Sequence, residues 1–124
     1  MNVPNELKYT EDHEWIKIDG NIATIGITDY AQGELGDIVF VEIETEGEDL
    51  DEGEVFGTIE AVKTVSDLFM PIAGEVESFN SELESNPELV NEDPYGKGWM
   101  IKIKFEGEPG EALLDADAYR EVIG

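Results

Sequence analysis

Cysteine is absent from the 124 residues, which excludes disulfides, thiolate metal sites and a cysteine nucleophile. Histidine occurs once, at position 13, so a protein zinc site would have to be built largely from carboxylates, an uncommon choice, and no metal site is expected. Basic residues are scarce. Seven Lys+Arg stand against 31 Asp+Glu, giving a net charge of −24. A field of this sign repels phosphate and argues against nucleic acid or an anionic membrane surface as a partner. Long apolar runs are also missing; the longest are a few residues, far short of a membrane span. The opening residues, Met1 to Glu6, have no basic start, apolar stretch or Arg-rich amphipathic segment, and a cytoplasmic location without a leader is expected. With no phosphate-binding loop and no triad pattern, no catalytic residue is nominated.

What is present suffices for a small core: 40% of residues are hydrophobic and 9% aromatic, and the length suits one domain spanning 1–124. Short strand signals recur between Gly and acidic turns. Glu14–Ile18 alternates and runs into Asp19-Gly20, with 22–27 as its hairpin partner. Further strands are expected at 38–44, 55–61, 68–72, 75–79 and 99–105, the last with Trp99, Ile101, Ile103 and Phe105 on one face. Helices are few. Thr28 can cap one through Leu35 that ends at Gly36, Asn80 or Ser81 can start another stopping before Pro87, and Asp115 can cap a last one through Ile123, ended by Gly124. Ala118, Tyr119 and Val122 give that last helix a one-sided face. Gly33, Gly36, Gly53, Gly57 and Gly74 are expected at turns or close backbone approaches. Many short strands with little helix point to a sandwich or barrel.

The segment from Gly47 to Val76 carries the chemistry. Lys63 sits between two strand-like arms, at an expected hairpin tip reading Val62-Lys63-Thr64-Val65. Two-residue hairpins usually place Asn, Asp or Gly where φ is positive. None is here, and a type I turn tolerates the residues that are. Apolar Val62 and Val65 beside an exposed lysine suit display of that lysine to another protein. The frame Glu60-Ala61-Val62-Lys63, then Pro71, Gly74 and Val76, resembles the acceptor hairpin of the biotinyl/lipoyl carriers. Biotin acceptors typically flank the lysine with Met on both sides; Val62 and Thr64 favour lipoate instead.

The rest of the chain narrows the resemblance. Lys8-Tyr9-Thr10-Glu11-Asp12-His13-Glu14-Trp15, Gly26-Ile27-Thr28-Asp29-Tyr30-Ala31-Gln32, Leu35-Gly36-Asp37-Ile38-Val39-Phe40-Val41-Glu42 and Pro94-Tyr95-Gly96-Lys97-Gly98-Trp99 are similar to the H proteins of the glycine cleavage system. The similarity runs from about Leu7 to the C-terminal helix. It implies a mainly β, lipoyl-domain-like barrel-sandwich hybrid of two antiparallel sheets, with short helices and a C-terminal helix. It also implies (R)-lipoate amide-linked to Lys63. On that reading the chain is a non-catalytic carrier. It would take the aminomethyl group of glycine from the pyridoxal-phosphate P protein to the aminomethyltransferase, or T protein. The dihydrolipoyl dehydrogenase, or L protein, would reoxidise it, and lipoylating enzymes would load it. Docking would be transient and the chain a monomer. The alternative is a lipoyl-relay or unmodified interaction module of the same fold.

The resemblance nominates Glu14 and Asp67, with Asp12 as a further candidate, as acidic contacts in a cleft beside the arm. Glu60, Val62 and Val65 are nominated for recognition of the acceptor hairpin. Glu34 stands where some relatives carry His. His13 itself is expected to make a structural hydrogen bond near a strand start. Much of the negative charge, at Glu42, Glu44, Glu46, Glu48, Asp49, Asp51, Glu52 and Glu54, falls on one strand end and the loop feeding the hairpin. Part of it is expected to steer docking to basic partner surfaces.

Overall fold

A computed structural model describes residues 3–107 and 113–123. Its elements, in order, are β1 (Lys8–Tyr9), β2 (Glu14–Asp19), β3 (Ile22–Ile27), α1 (Asp29–Leu35), β4 (Ile38–Glu42), β5 (Asp49–Leu50), β6 (Val55–Ala61), β7 (Val65–Phe69), β8 (Gly74–Phe79), α2 (Glu82–Ser85), α3 (Leu89–Glu92), β9 (Ile101–Lys104) and α4 (Ala116–Ile123). One antiparallel sheet has six strands in the order β1-β2-β3-β9-β8-β5; the other has three, β4-β6-β7. The mainly β, two-sheet architecture expected from the sequence is observed. β3 and β6 fall on the expected residues; the turn closing β2 on β3 is Gly20-Asn21, one position beyond the expected Asp19-Gly20, with Asp19 paired to Ile22 and Gly20 at φ 65°.

The main core lies between the sheets. Ile25, Phe56, Ile59, Met70, Val76, Ile101 and Ile103 are its centre, all buried. A second cluster of Leu7, Tyr9, Trp15, Ala116 and Tyr119 sits under α4, where Tyr9 and Tyr119 stack with ring centroids 4.7 Å apart. The first half of β2, Glu14 to Ile16, is therefore covered on both faces. Ile16 enters the main core, Trp15 enters the second cluster, and its indole donates to the Pro94 carbonyl at 2.8 Å. Glu14 shares the Ile16 face by the two-residue period of a strand, which is why it is buried instead of turning outward.

Several boundaries differ from expectation. β7 begins at Val65, directly after the tip, and ends before Pro71, which has no N–H to donate; the Met70 N–H bonds instead to the Glu54 carbonyl at 2.8 Å. β9 begins only at Ile101, so Trp99 does not join the Ile101–Ile103 face. It packs half-buried on the second cluster with Lys102 Nζ 5.1 Å from its ring centroid. In α4 the buried face is Ala116 and Tyr119, and Val122 is exposed. Asp115 does accept from the Ala118 N–H at 2.8 Å, as a cap should. Gly124, expected to end that helix, lies outside the described residues. β1, β5 and α3 were not expected.

Gly33 is a further correction. It lies at neither a turn nor a close approach but inside α1, with nothing within 4 Å of the place a β-carbon would take. Gly33→Ala is expected to stabilise the fold by about 0.5–1 kcal/mol by removing unfolded-state freedom, read as a raised urea midpoint with an unchanged slope.

Candidate functional site

Lys63 stands exposed on the turn between β6 and β7. Glu60 pairs with Val65, and the Ala61 N–H donates to the Thr64 carbonyl at 2.8 Å, so the tip is closed by its own strands. The Val62 N–H donates to the Asp37 carbonyl at 3.0 Å and ties the tip to the start of β4. No tip residue has positive φ, as expected for residues of this type. Val62 is 71% and Val65 62% exposed. Across the three-stranded sheet the outward row is Phe40, Glu60, Val65, so two exposed apolar side chains flank the Glu60 carboxylate.

The lysine stem lies along Gly36, where a β-carbon would stand 3.8 Å from Cε and 4.0 Å from Nζ. Gly36 ends α1 at φ 83° and ψ −156°, a region open almost only to glycine. Asn91, on α3, fixes this platform. Its amide donates to the Gly36 carbonyl at 2.9 Å and to the Gln32 side-chain oxygen at 3.0 Å, and its oxygen accepts from the Ile38 N–H at 2.9 Å.

Between α1 and the two arms of the hairpin opens a cleft of about 300 Å³. Ile27, Ala31, Leu35, Ile59 and Leu68 give it apolar walls. Asp12, Glu14, Glu34 and Asp67 bring four carboxyl groups to it, with His13 and Tyr30 beside them. Asp12, Glu34 and Asp67 are exposed, whereas Glu14 is 2% exposed. Glu14 accepts from the Phe69 N–H at 2.9 Å and from the Thr10 hydroxyl at 3.2 Å, and no cation pairs with it among the described residues. Burial pushes its carboxyl up to about 8, and the nearby Asp12 charge adds to this; the Phe69 N–H and Thr10 hydroxyl oppose it. A carboxyl held this way is mostly neutral at pH 7 until a cation arrives to pair with it.

Comparisons with known proteins fit this geometry. The sequence model of the family described as Glycine cleavage H-protein matches residues 7–124. The chain is 62% identical to the glycine cleavage system H protein of Bacteroides thetaiotaomicron and 61% identical to that of Bacteroides fragilis, in each case over 99% of this chain and 98% of the relative. The chain belongs to the glycine cleavage H-protein family. Its role is that of a lipoyl carrier in the glycine cleavage system. The fold agrees with the crystal structure of an H protein from Mycobacterium marinum, with a TM-score of 0.87 and 38% identity over 96% of this chain and 97% of that one.

For this H-protein chain, the structure brings Asp12, Glu14 and Asp67 to one cleft and puts Glu60, Val62 and Val65 around Lys63. Glu34, left in doubt by the sequence, also lines the cleft. Tyr30 and Asn91 were not found in advance. Tyr30 lies within a segment used for the family resemblance, and Asn91 carries no sequence signal. The acidic loop feeds the hairpin, as expected, and does so from the end away from the lysine. Residues 44–54 enter β6 at Val55, its far end, and a seven-residue strand carries the chain about 20 Å from there to the tip. The exposed acids on the hairpin itself are Glu60 and Asp67, with exposed Asp37 tied to its tip through the Val62 N–H.

Gly36→Ala is expected to cost about 1–3 kcal/mol through backbone strain alone, and to disturb the platform under the lysine. Chemical denaturation reads the first effect, and the rate of enzymatic lipoylation reads the second.

Proposed function

We propose that Lys63 is the residue that carries the lipoyl group, and that the chain acts as a single non-catalytic carrier domain. The observation that carries this reading is an exposed lysine on a strand-closed tip whose two arms, at Ile59 and at Ser66 to Leu68, line a cleft with apolar walls and a carboxyl rim. The site fits the group. An alkyl chain ending in a dithiolane matches the walls, and the four carboxyl groups suit a cationic cargo. When bound, the lipoyl group supplies a disulfide that takes up the aminomethyl carbon left by glycine decarboxylation and is later restored by oxidation.

The chain's own residues hold, orient and shield. The closed hairpin fixes the direction from which the arm leaves, which raises the effective concentration of its end at a docked active site. Ile27, Leu35, Ile59 and Leu68 exclude water. Glu14 and Asp67, with Asp12 at the rim, offer carboxylates to an ammonium group, and Glu14 gives up its proton as that charge arrives. Glu60, Val62 and Val65 form the surface a lipoylating enzyme would recognise. The docking partners are a pyridoxal-phosphate glycine decarboxylase, an aminomethyltransferase and a dihydrolipoyl dehydrogenase, each met transiently. Among the described residues no helix is long and apolar enough to cross a membrane.

Intact mass after incubation with a lipoylating enzyme tests the attachment, and glycine–bicarbonate exchange with the decarboxylase tests the role. An adduct without exchange would indicate a lipoyl relay, and no adduct an unmodified module. Association with these enzymes should slow as salt rises, because acids near the tip act within a Debye length of about 8 Å at physiological ionic strength. Glu60→Gln and Asp67→Asn should therefore lower association rates more than Glu48→Gln and Glu52→Gln do. Equal effects from both pairs, by stopped-flow binding, would place the steering elsewhere.

A further inference from the structure

His13 adopts a positive φ of 68°, the only non-glycine among the described residues to do so. Strain of this kind marks positions that the surroundings over-determine. The ring is held between two tyrosines, Tyr30 at 4.8 Å and Tyr119 at 5.8 Å between centroids. Its Nδ1 lies 2.9 Å from the Tyr119 hydroxyl, which in turn lies 2.7 Å from Thr28 Oγ1. The structural hydrogen bond expected for His13 is thus present, and its partners determine more than its position.

Thr28 and Tyr119 are both fully buried. Thr28 Oγ1 accepts from the Ala31 N–H at 3.2 Å, where it caps α1. Three groups then share two contacts. If Nδ1 carried a hydrogen, three hydrogens would meet two contacts, and one buried hydroxyl would point at nothing. If Nδ1 carries its lone pair, two hydrogens fill two contacts: Thr28 donates to Tyr119, and Tyr119 donates to Nδ1. Buried polar groups are satisfied in native proteins, and no buried side-chain atom among the described residues lacks a partner. The proton of the neutral ring therefore sits on Nε2. That nitrogen has no protein partner among the described residues and is not sealed from solvent, and His13 lines the arm cleft.

We propose that Tyr119 is a positioning residue that fixes His13 as its Nε2–H tautomer and so turns a neutral donor, not a cation, toward the arm cleft. This rests on the reading of that cleft as the resting place of the arm. Its consequence is electrostatic. A histidinium here would pair with the cleft acids and repel a cationic cargo, whereas a neutral imidazole leaves them open. The groups facing the ring are Asp12 on its own segment, Glu34 and Tyr30 from α1, and Tyr119 from α4. The two carboxylates favour protonation, yet burial outweighs them and holds the imidazole below its ordinary value. Adding a proton would also reverse the hydroxyl chain and orphan one buried hydrogen.

Because the chain has a single histidine, nitrogen NMR of the uniformly labelled full chain reads this without assignment ambiguity. Expected are an unprotonated, pyridine-like Nδ1, a pyrrole-like Nε2 and a titration midpoint below about 6.5. Tyr119→Phe keeps the stack on Tyr9 but should mix the tautomers and raise the midpoint; Thr28→Ser, which keeps a hydroxyl, should leave both as they were. A protonated Nδ1 in the native chain overturns the proposal whether or not Tyr119→Phe folds, as does a folded Tyr119→Phe with unchanged tautomer and midpoint. In lipoylated protein, verified by mass, Nε2 should shift while Nδ1 does not. An unmoved Nε2 in protein of the correct mass overturns the cleft placement, whereas a missing adduct fails the carrier reading instead.

Discussion

Lys63→Arg is expected to leave the fold intact and to abolish both lipoyl addition and glycine–bicarbonate exchange. Lys63 is exposed, its turn needs no positive φ, and no carboxylate lies within ion-pair distance of its amine among the described residues. Substitutions at such sites usually change stability by less than about 0.5 kcal/mol. The chemical consequence is total. Amide formation needs a free amine with a lone pair, and a lysine amine can shed its proton at an enzyme's active site. A guanidinium keeps its charge throughout the accessible pH range and delocalises the electrons that would attack. Unfolding curves of the two proteins should overlay, while intact mass shows one lipoyl adduct on the native chain and none on the variant. An adduct surviving in Lys63→Arg would move the attachment to Lys8, Lys17, Lys97, Lys102 or Lys104.

The hairpin that displays this lysine was legible because its signals are local, two strand-like arms around a short turn. The stop at Pro71 was missed, since the second arm is expected over 68–72 and β7 is Val65–Phe69. α1 was equally legible from the Thr28 cap and the Gly36 stop. The elements missed are too short to have a period, since β1 and β5 are two residues long and α3 is four. Asn91 acts from α3 on residues more than 50 positions away, and no local pattern announces such a contact. The acidic residues were legible as the loop feeding the hairpin, but only the folded chain shows that the whole of β6 separates that loop from the lysine. Glu14 shows the same limit from another side. Alternation assigned it to a face, but only the folded chain shows that both faces of β2 are covered from Glu14 to Ile16 and that its carboxyl meets no cation among the described residues.

That buried carboxyl makes the fold's stability depend on pH in a direction opposite to a paired acid. Its native value is raised from 4.5 to about 8 by burial, so below pH 4.5 it is protonated in both states and imposes no penalty. As pH rises from 4.5 toward 8 the unfolded chain ionises first, and stability falls by an amount on the order of a few kcal/mol before levelling. Glu14→Gln cannot ionise, and its amide oxygen can still accept from the Phe69 N–H. Urea titrations from pH 5 to 9 should therefore show the native chain losing more stability than the variant, with the gap widening toward pH 8 and closing near pH 5. Parallel curves would mean that Glu14 titrates as an ordinary carboxyl. The same variant should still accept lipoate at Lys63, since nothing at the tip depends on Glu14. It should lose hold of a cationic cargo, because a buried amide has no charge to set against an ammonium and the group that released a proton to receive it is gone. Faster spontaneous loss of the aminomethyl carbon from Glu14→Gln, and faster still with Asp67→Asn added, is the expected result. Unchanged loss in the double variant would leave Glu14 as a purely structural group that lowers stability at neutral pH.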